Sequence, residues 1–311
     1  MNDKPLVSVI TPCFNGEEYL DRYFRSILNQ TYHNIELIFV NDGSGDKTES
    51  IALSYRQQFE NRGISFTYRY QENAGQAFAL NLGLKLFNGE YLTWPDSDDV
   101  MTDDCIEKKV AFLEAHPEFG FCVCKSKTFL EGSQIGADGK IIERIPQESD
   151  PFFEDLLRIK NIFIPGAYMV RSSAVKKTIP DLEIYSGRGG QNVQLLLPVS
   201  YRYKCGYIDE VLNYYCIREN SHSHSNNVPE KRLEQLINYE KIVEATLKQM
   251  GNEVANEYLL PAKQLYGHMR FGNALDSQNK ELIAREYKNL QLLHCATFKE
   301  KALYIKKAIG L

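Results

Sequence analysis

Short apolar runs and amphipathic stretches alternate along the first part of the chain. Residues 6–11, 35–40, 64–70, 91–94 and 119–124 are apolar runs too short for helices, and they predict buried strands. Between them, residues 17–28 place Tyr19, Leu20, Tyr23, Phe24, Ile27 and Leu28 on one helical face. Asp46 with Glu49 reads as a capping box opening a helix that holds Ile51, Ala52 and Tyr55. Residues 75–86 and 105–115 supply two more helices. Strand–helix repetition of this kind predicts an α/β fold with a mainly parallel sheet flanked by helices. Residues 132–139 are polar and Gly-rich, a turn or loop, and residues 162–170 and 206–217 predict further strands. From Pro229 the pattern is helical to the end. The organisation expected is an α/β domain over residues 1–228 and a C-terminal helical appendage over residues 229–311.

In parallel sheets ligands bind beyond the carboxyl ends of the strands. That rule selects the loops after Thr11, Val40, Tyr70 and Trp94, all of them polar or acidic. A net charge of -5 gives no sign of a general nucleic-acid binder. The seven cysteines are scattered, and Cys122 with Cys124 lacks the second pair a zinc site needs, so reduced, packed thiols are expected. Neither a signal-peptide core nor a run of roughly 20 apolar residues is present, which predicts a cytoplasmic chain, with contact at the inner face of the membrane left open.

Asp96-Ser97-Asp98-Asp99 ends a predicted buried strand. Clustered carboxylates repel unless a cation or solvent compensates them, and oxygen-only ligands suit Mg²⁺ or Mn²⁺ bridging to a diphosphate. An acidic helix start explains the same residues, since Asp103 and Asp104 follow. An EF-hand loop does not, because its glycine position holds Met101. Asp42-Gly43 is a hairpin signal, but a capped helix follows it, so a strand–turn–helix crossover is the better reading. An ionised Asp42 accepts hydrogen bonds only, which suits the ring N–H of uracil and, less specifically, of thymine or guanine. Asn73-Ala74-Gly75 opens a helix, where backbone N–H groups can face a polar or anionic ligand; an ordinary Asn/Gly helix entry is the plain alternative. A dinucleotide fingerprint is missing, since residues 11–17 contain only Gly16.

Taken in order, these segments resemble the family 2 glycosyltransferases, whose fold is GT-A. The resemblance rests on Val7-Ser8-Val9-Ile10-Thr11-Pro12-Cys13-Phe14-Asn15-Gly16, on Ser26-Ile27-Leu28-Asn29-Gln30-Thr31-Tyr32, and on Glu36-Leu37-Ile38-Phe39-Val40-Asn41-Asp42-Gly43-Ser44. Asn73-Ala74-Gly75, Asn81-Leu82-Gly83 and Asp96-Ser97-Asp98-Asp99 complete it. It implies transfer of a sugar from a nucleotide-sugar, first a UDP-sugar, to a hydroxyl of a glycan or lipid-linked acceptor. Thr11 and Asn15 would line the nucleotide pocket with Asn73 and Gly75, and Asp42 would read the base. Asp96 would lie near ribose and metal, Asp98 would ligate Mn or Mg, and His222 or His224 would offer a third ligand. Tyr215, Arg218, Ser221 and Ser223 match a later pattern in which a basic residue meets the donor diphosphate; an Arg can grip phosphate bidentately.

One departure stands out. Inverting members place Glu-Asp after a glycine at a helix start, before a Leu-rich run, and the Asp is the general base. Here Gly189-Gly190-Gln191-Asn192-Val193-Gln194-Leu195-Leu196-Leu197 has amides in those places. A neutral amide takes no proton near pH 7. Three accounts stand: another carboxylate serves, Asp181 and Glu183 being nearest in sequence; Asn192 only orients the acceptor; or transfer is lost and the chain is a catalytically weak nucleotide-sugar-binding subunit. A nucleotidyltransferase is the remaining alternative. In the tail, Lys299, Lys301, Lys306 and Lys307 lie among Phe298, Leu303, Tyr304, Ile305 and Ile309, which suits an anionic membrane surface or a second chain; a terminal helix packed on its own domain is the favoured reading.

Overall fold

The computed structural model describes residues 4–136, 139–143, 152–159, 165–187, 189–218 and 228–309. The chain divides into two units, Met1–Ile217 and Arg218–Leu311.

The first unit opens with β1 (Val7–Cys13), α1 (Leu20–Leu28), β2 (Ile35–Asp42), α2 (Thr48–Ser54), α3 (Arg56–Asn61), β3 (Ser65–Gln71), α4 (Gln76–Leu84) and β4 (Tyr91–Thr93). Then follow β5 (Val100–Met101), α5 (Cys105–Ala115), β6 (Phe119–Leu130), β7 (Ile141–Ile142), α6 (Phe152–Leu157), β8 (Tyr168–Arg171), α7 (Ser172–Thr178), α8 (Gln191–Arg202) and β9 (Lys204–Ile217). The strands form one sheet in the order β3-β2-β1-β4-β8-β6-β9-β5, with β7 on β6. β3, β2, β1 and β4 are all parallel, as the strand–helix repetition predicts. Beyond β4 the sheet is mixed: β8 is antiparallel to β4 and β6, and β9 is parallel to β6 but antiparallel to β5.

Every residue of β1 and β2 is buried, which is why these strands read as mainly apolar runs, with Ser8 and Glu36 hydrogen-bonded to each other inside. The core on one face gathers Phe24, Phe39, Phe59 and Phe66 around α1 and α3, with Phe24 edge-on to Phe39 and Phe59. On α4, a Cβ at Gly83 would meet Ile10 Cγ2 at 2.3 Å, so only glycine lets this helix sit so close to β1. All seven cysteines are free thiols, and all but Cys295 are buried.

The expected capping box at Asp46 does not form. Lys47 is the N-cap, and the Asp46 carboxylate instead accepts the backbone N–H groups of Thr48 and Glu17, each at 2.9 Å. The helix it opens is broken in two at Tyr55.

The second unit holds α9 (Pro229–Gln249), α10 (Asn252–Asp276), α11 (Lys280–Leu292), α12 (Phe298–Tyr304) and a π-helical turn, Ile305–Ile309. Its core includes Phe271, Ala274, Ile283, Tyr287 and Leu290, on which Leu303, Tyr304 and Ala308 pack. Tyr304 stacks on Tyr287 with ring centroids 4.4 Å apart, so Leu303, Tyr304 and Ala308 face their own unit, while Phe298 is exposed. No helix among the described residues is long and apolar enough to cross a membrane.

Candidate active site at the strand ends

The acidic segment leaves β4 through buried Trp94 and Pro95. Asp96 and Asp98 then stand half-exposed, while Ser97 and Asp99 turn inward. The Asp99 Oδ1 accepts the Cys216 N–H at 3.0 Å, and its buried Oδ2 meets no hydrogen-bond donor. Burial, then the charges of Asp98 and Asp96, push the Asp99 carboxyl well above the usual carboxylate range, against the pull of the Cys216 N–H and Arg22. Three carboxylates in four residues are thus arranged unequally: one protonation-prone group inside and two facing outward. From α1, Arg22 Nη2 donates to the Asp98 carbonyl at 2.9 Å and fixes the turn. Behind it, the fully buried Lys109 ammonium donates to the Gly166 carbonyl. Gly166 has φ +79, and a Cβ there would meet Pro95 Cβ at 2.9 Å, so this loop braces the residue before Asp96.

The neighbouring loops are pinned to one another. Asn15, at φ 51, donates its N–H to Ser44 Oγ and accepts the Gly45 N–H on Oδ1, both at 2.9 Å. Glu17 Oε2 accepts the Lys47 N–H at 2.9 Å, and Thr48 Oγ1 accepts the Gly16 N–H at 2.7 Å. The loops after β1 and β2 therefore move as one body. Thr11 is fully buried, with its hydroxyl bonded to the Tyr23 phenol, so its side chain faces the core rather than the loop surface.

Asp42, 3% exposed, lies at the end of β2. Its Oδ1 accepts Gln71 Nε2 at 2.7 Å and the Ala74 N–H at 3.0 Å, and its Oδ2 accepts the Gly75 N–H at 2.9 Å. Gly75 is the N-cap of α4, at φ 99, and a Cβ on Gly43 would strike the Asn73 backbone nitrogen at 2.4 Å. Gln76, the next residue, donates its side-chain amide to Asp96 Oδ1 at 2.8 Å. Asp42, Asn73, Gly75 and Asp96 thus form one connected array. The crossover reading of Asp42-Gly43 holds: a helix, not a hairpin partner, follows β2.

Asn192 sits in the first turn of α8. Its Oδ1 accepts both Trp94 Nε1–H and the Tyr168 hydroxyl, each at 2.7 Å. Burial and the charge of Asp96 push the Tyr168 phenol up, so it keeps its proton and donates. Asn192 is therefore tied directly to the residue two before Asp96. Glu183 lies in a segment that runs beside α8, where the Tyr185 carbonyl accepts Gln194 Nε2 at 3.0 Å. Glu183 is paired with Lys85 at 3.4 Å, roughly 13 Å along α4 from Gln76, which holds Asp96. Asp181 is exposed in the same segment, whose Ile184 is held by the Asn81 side chain through two 2.8 Å hydrogen bonds. Arg218 follows β9 directly and opens the second unit, and Tyr215 lies within β9. Ser221, His222, Ser223 and His224 lie outside the described residues.

Among the described residues, no three His, Cys, Asp or Glu side chains converge in a way that could hold a metal ion by themselves. The donor set that is present, two half-exposed carboxylates after β4, fits a hard cation sharing its remaining positions with a ligand's oxygens. Sequence reasoning missed Arg22 and Lys109. Lys109 is a basic residue among Cys105, Ile106, Phe112 and Leu113 on an otherwise apolar helix face, and that is the signal that marks it; Arg22, between Glu18 and Arg25, carries no such signal.

The comparisons with known proteins agree with this geometry. The chain is 48% identical over 109 residues to an uncharacterised glycosyltransferase of Rickettsia typhi, a match covering 35% of this chain and 32% of that protein. An uncharacterised glycosyltransferase of Haemophilus influenzae is 34% identical over 184 residues, 50% of this chain and 72% of that protein. The minor teichoic acid biosynthesis protein GgaB of Bacillus subtilis is 31% identical over 232 residues, 72% of this chain and 24% of that protein. The match to the Rickettsia typhi protein thus spans about a third of its length. Among solved structures, S. aureus TarS 1-349 in complex with UDP-GlcNAc matches with TM-score 0.57 at 18% identity, over 97% of this chain and 89% of that one. The mannosyltransferase PcManGT of Pyrobaculum calidifontis, in complex with GDP-Man and Mn2+, matches with TM-score 0.58 at 16% identity, over 99% and 81%. These likenesses give the GT-A-type α/β fold, with the C-terminal helices present. The family model for glycosyl transferase family 2 matches residues 8–178, and the chain belongs to that family.

Proposed function

We propose that the protein moves a sugar from a nucleotide-sugar, a UDP-sugar in the first instance, to a glycan or lipid-linked acceptor in surface glycan synthesis. The observation that carries this is the continuous array Asp42–Gly75–Gln76–Asp96, which joins a base-reading carboxylate to the acidic segment through the start of α4. A carboxylate has about four lone-pair positions, and protein groups use three at Asp42, leaving one on Oδ2 for an imide N–H. Asp98 and Asp96 would hold Mn or Mg, which when bound stabilises negative charge developing on a diphosphate. The pinned loops at Asn15 and Ser44 give the nucleotide pocket a rigid wall, and Arg22 keeps the Asp98 backbone in place. Arg218 supplies a guanidinium for the diphosphate, and His222 a further ligand. Peripheral membrane contact or pairing with another chain would use the exposed Phe298 with Lys299 and Lys301.

Release of free nucleotide from a panel of UDP-sugars and GDP-mannose, with and without acceptors and with Mn²⁺ or EDTA, tests the reading. Metal-dependent UDP release is expected; release of sugar 1-phosphate would indicate nucleotidyl transfer instead. A second reading, a binding subunit of weak activity, is favoured by the neutral Asn192. It predicts tight UDP-sugar binding with no acceptor-dependent release.

A further inference from the structure

Asp96 lies where two braced elements meet. On its own side of the sheet, Asn192 Oδ1 holds Trp94 Nε1 at 2.7 Å and Gly166 closes on Pro95, so the backbone that enters Asp96 is fixed. That brace does not set the rotamer of the half-exposed Asp96 side chain. The group that reaches the carboxylate comes from another element. Gln76, the first residue of α4, donates Nε2 to Asp96 Oδ1 at 2.8 Å.

α4 is itself pinned at three points. Asp42 Oδ2 accepts the Gly75 N–H at its start. Glycine at position 83 lets the helix close on Ile10 of β1. The Asn81 side chain exchanges two 2.8 Å hydrogen bonds with the Ile184 backbone. Gln76 is exposed, yet it rides on a helix whose place is set by the sheet, and it spans 20 residues of sequence to reach Asp96.

The chemistry of the side chain matters as much as its reach. An ionised carboxylate only accepts, so the amide presents its NH₂ group to Asp96. A lysine or arginine in its place would also donate, but it would set a positive charge beside any cation on Asp96. A glutamate could not donate when ionised and would repel Asp96. The amide orients the carboxylate and leaves the charge of the site unchanged. Partners of this kind, one step removed from a metal, typically cost about 10–100-fold in metal affinity or activity when they are lost.

We propose that Gln76 is a positioning residue for the divalent cation: it orients the Asp96 carboxylate as a ligand, from a helix whose entry Asp42 fixes. The inference rests on the metal- and nucleotide-sugar-binding reading above and assigns to it a residue outside the acidic segment. Gln76 acts through Asp96 and not on the nucleotide, so its loss should weaken the metal and spare the metal-free nucleotide.

That split is the test. Calorimetry with the full chain measures UDP affinity in EDTA, and Mn²⁺ titration at saturating UDP measures metal affinity. Gln76→Leu and Gln76→Ala should leave Tm unmoved, because the side chain is exposed. Both should bind UDP in EDTA within about threefold of wild type. Their Mn²⁺ affinity at saturating UDP should fall about 10–100-fold. In an Asp96→Ala background, Gln76→Leu should change Mn²⁺ affinity by less than about twofold, since no carboxylate remains to be oriented. Wild-type Mn²⁺ affinity in Gln76→Leu overturns the proposal. So does an equal loss of UDP affinity with and without metal, or a Gln76→Leu loss as large in Asp96→Ala as in wild type, either of which makes Gln76 a direct contact of the nucleotide or the cation. If Mn²⁺ does not strengthen UDP binding to the wild-type protein at all, the underlying metal reading falls, and the proposal with it.

Discussion

The Asp42 carboxylate accepts the Gly75 N–H at 2.9 Å, so an acid at the end of β2 caps a helix that follows β3. Its charge also sits at the positive end of the α4 dipole. One residue therefore fixes the entry to α4 through both carboxylate oxygens and also holds Gln71.

Asp42→Asn should do two things. It removes an acceptor from one backbone N–H, costing about 1–3 kcal/mol, or a fall of several degrees in Tm. It should also weaken UDP binding by more than about tenfold. Gln71→Leu removes only the Nε2 donor and should leave UDP affinity nearly intact. Scanning fluorimetry and calorimetry on both variants decide the matter: equal losses of affinity would make the loop, not base reading, the role of Asp42.

Asp98→Ala should abolish Mn²⁺-dependent strengthening of UDP binding while barely moving Tm, since the side chain is half-exposed and the Arg22 bond is to its backbone carbonyl. Isothermal titration with and without Mn²⁺ checks this. Retained metal dependence would place the cation elsewhere.

The Asp46 latch gives a pH dependence with a definite sign. Burial opposes ionisation of Asp46, but hydrogen bonds from Thr48 and from the Glu17 and Thr48 backbones outweigh it and hold the carboxyl below its ordinary 3.8. A lowered folded-state pKa means stability that is present above about 3.8 and lost as pH falls through the folded value. Asp46→Asn should thus be less stable than wild type at pH 6, with the gap closing on acidification. Urea midpoints across pH 6 to 3 measure it, and a constant gap would refute the latch.

Removal of residues 298–311 should lower Tm through loss of the Tyr304–Tyr287 stack and of Leu303 from the helical core. Flotation with anionic liposomes should be the same for full-length and shortened protein, because those apolar groups are already engaged. Binding lost with the tail would assign the exposed Phe298 and its lysines to a membrane.

In the parallel half of the sheet, β1, β2 and β4 were legible because they are buried on both faces and so write themselves as mainly apolar runs. The two-residue strands at Val100 and Ile141 carry too little pattern to be seen, and α6 and α7 are six and seven residues long. At the site, Asp42, Gly75 and Asp96 were legible as residue types at strand ends. Their connection through Gln76 was not, nor was the Trp94–Asn192 bond, since each joins residues distant in sequence by side-chain geometry alone. Asp46 misled for the same reason: its partner lay in another loop, at Glu17.

The long pairing of β6 with β9 has a consequence for synthesis. β6 ends at Leu130 and its parallel neighbour does not begin until Lys204, so the ribosome must add the intervening segment first. At about 5–20 residues per second, that leaves one flank of β6 without its partner for roughly 4–15 s on each nascent chain. During that interval the newborn protein exposes the edge of an apolar strand, and this is the window in which a holding chaperone at the tunnel exit would matter most.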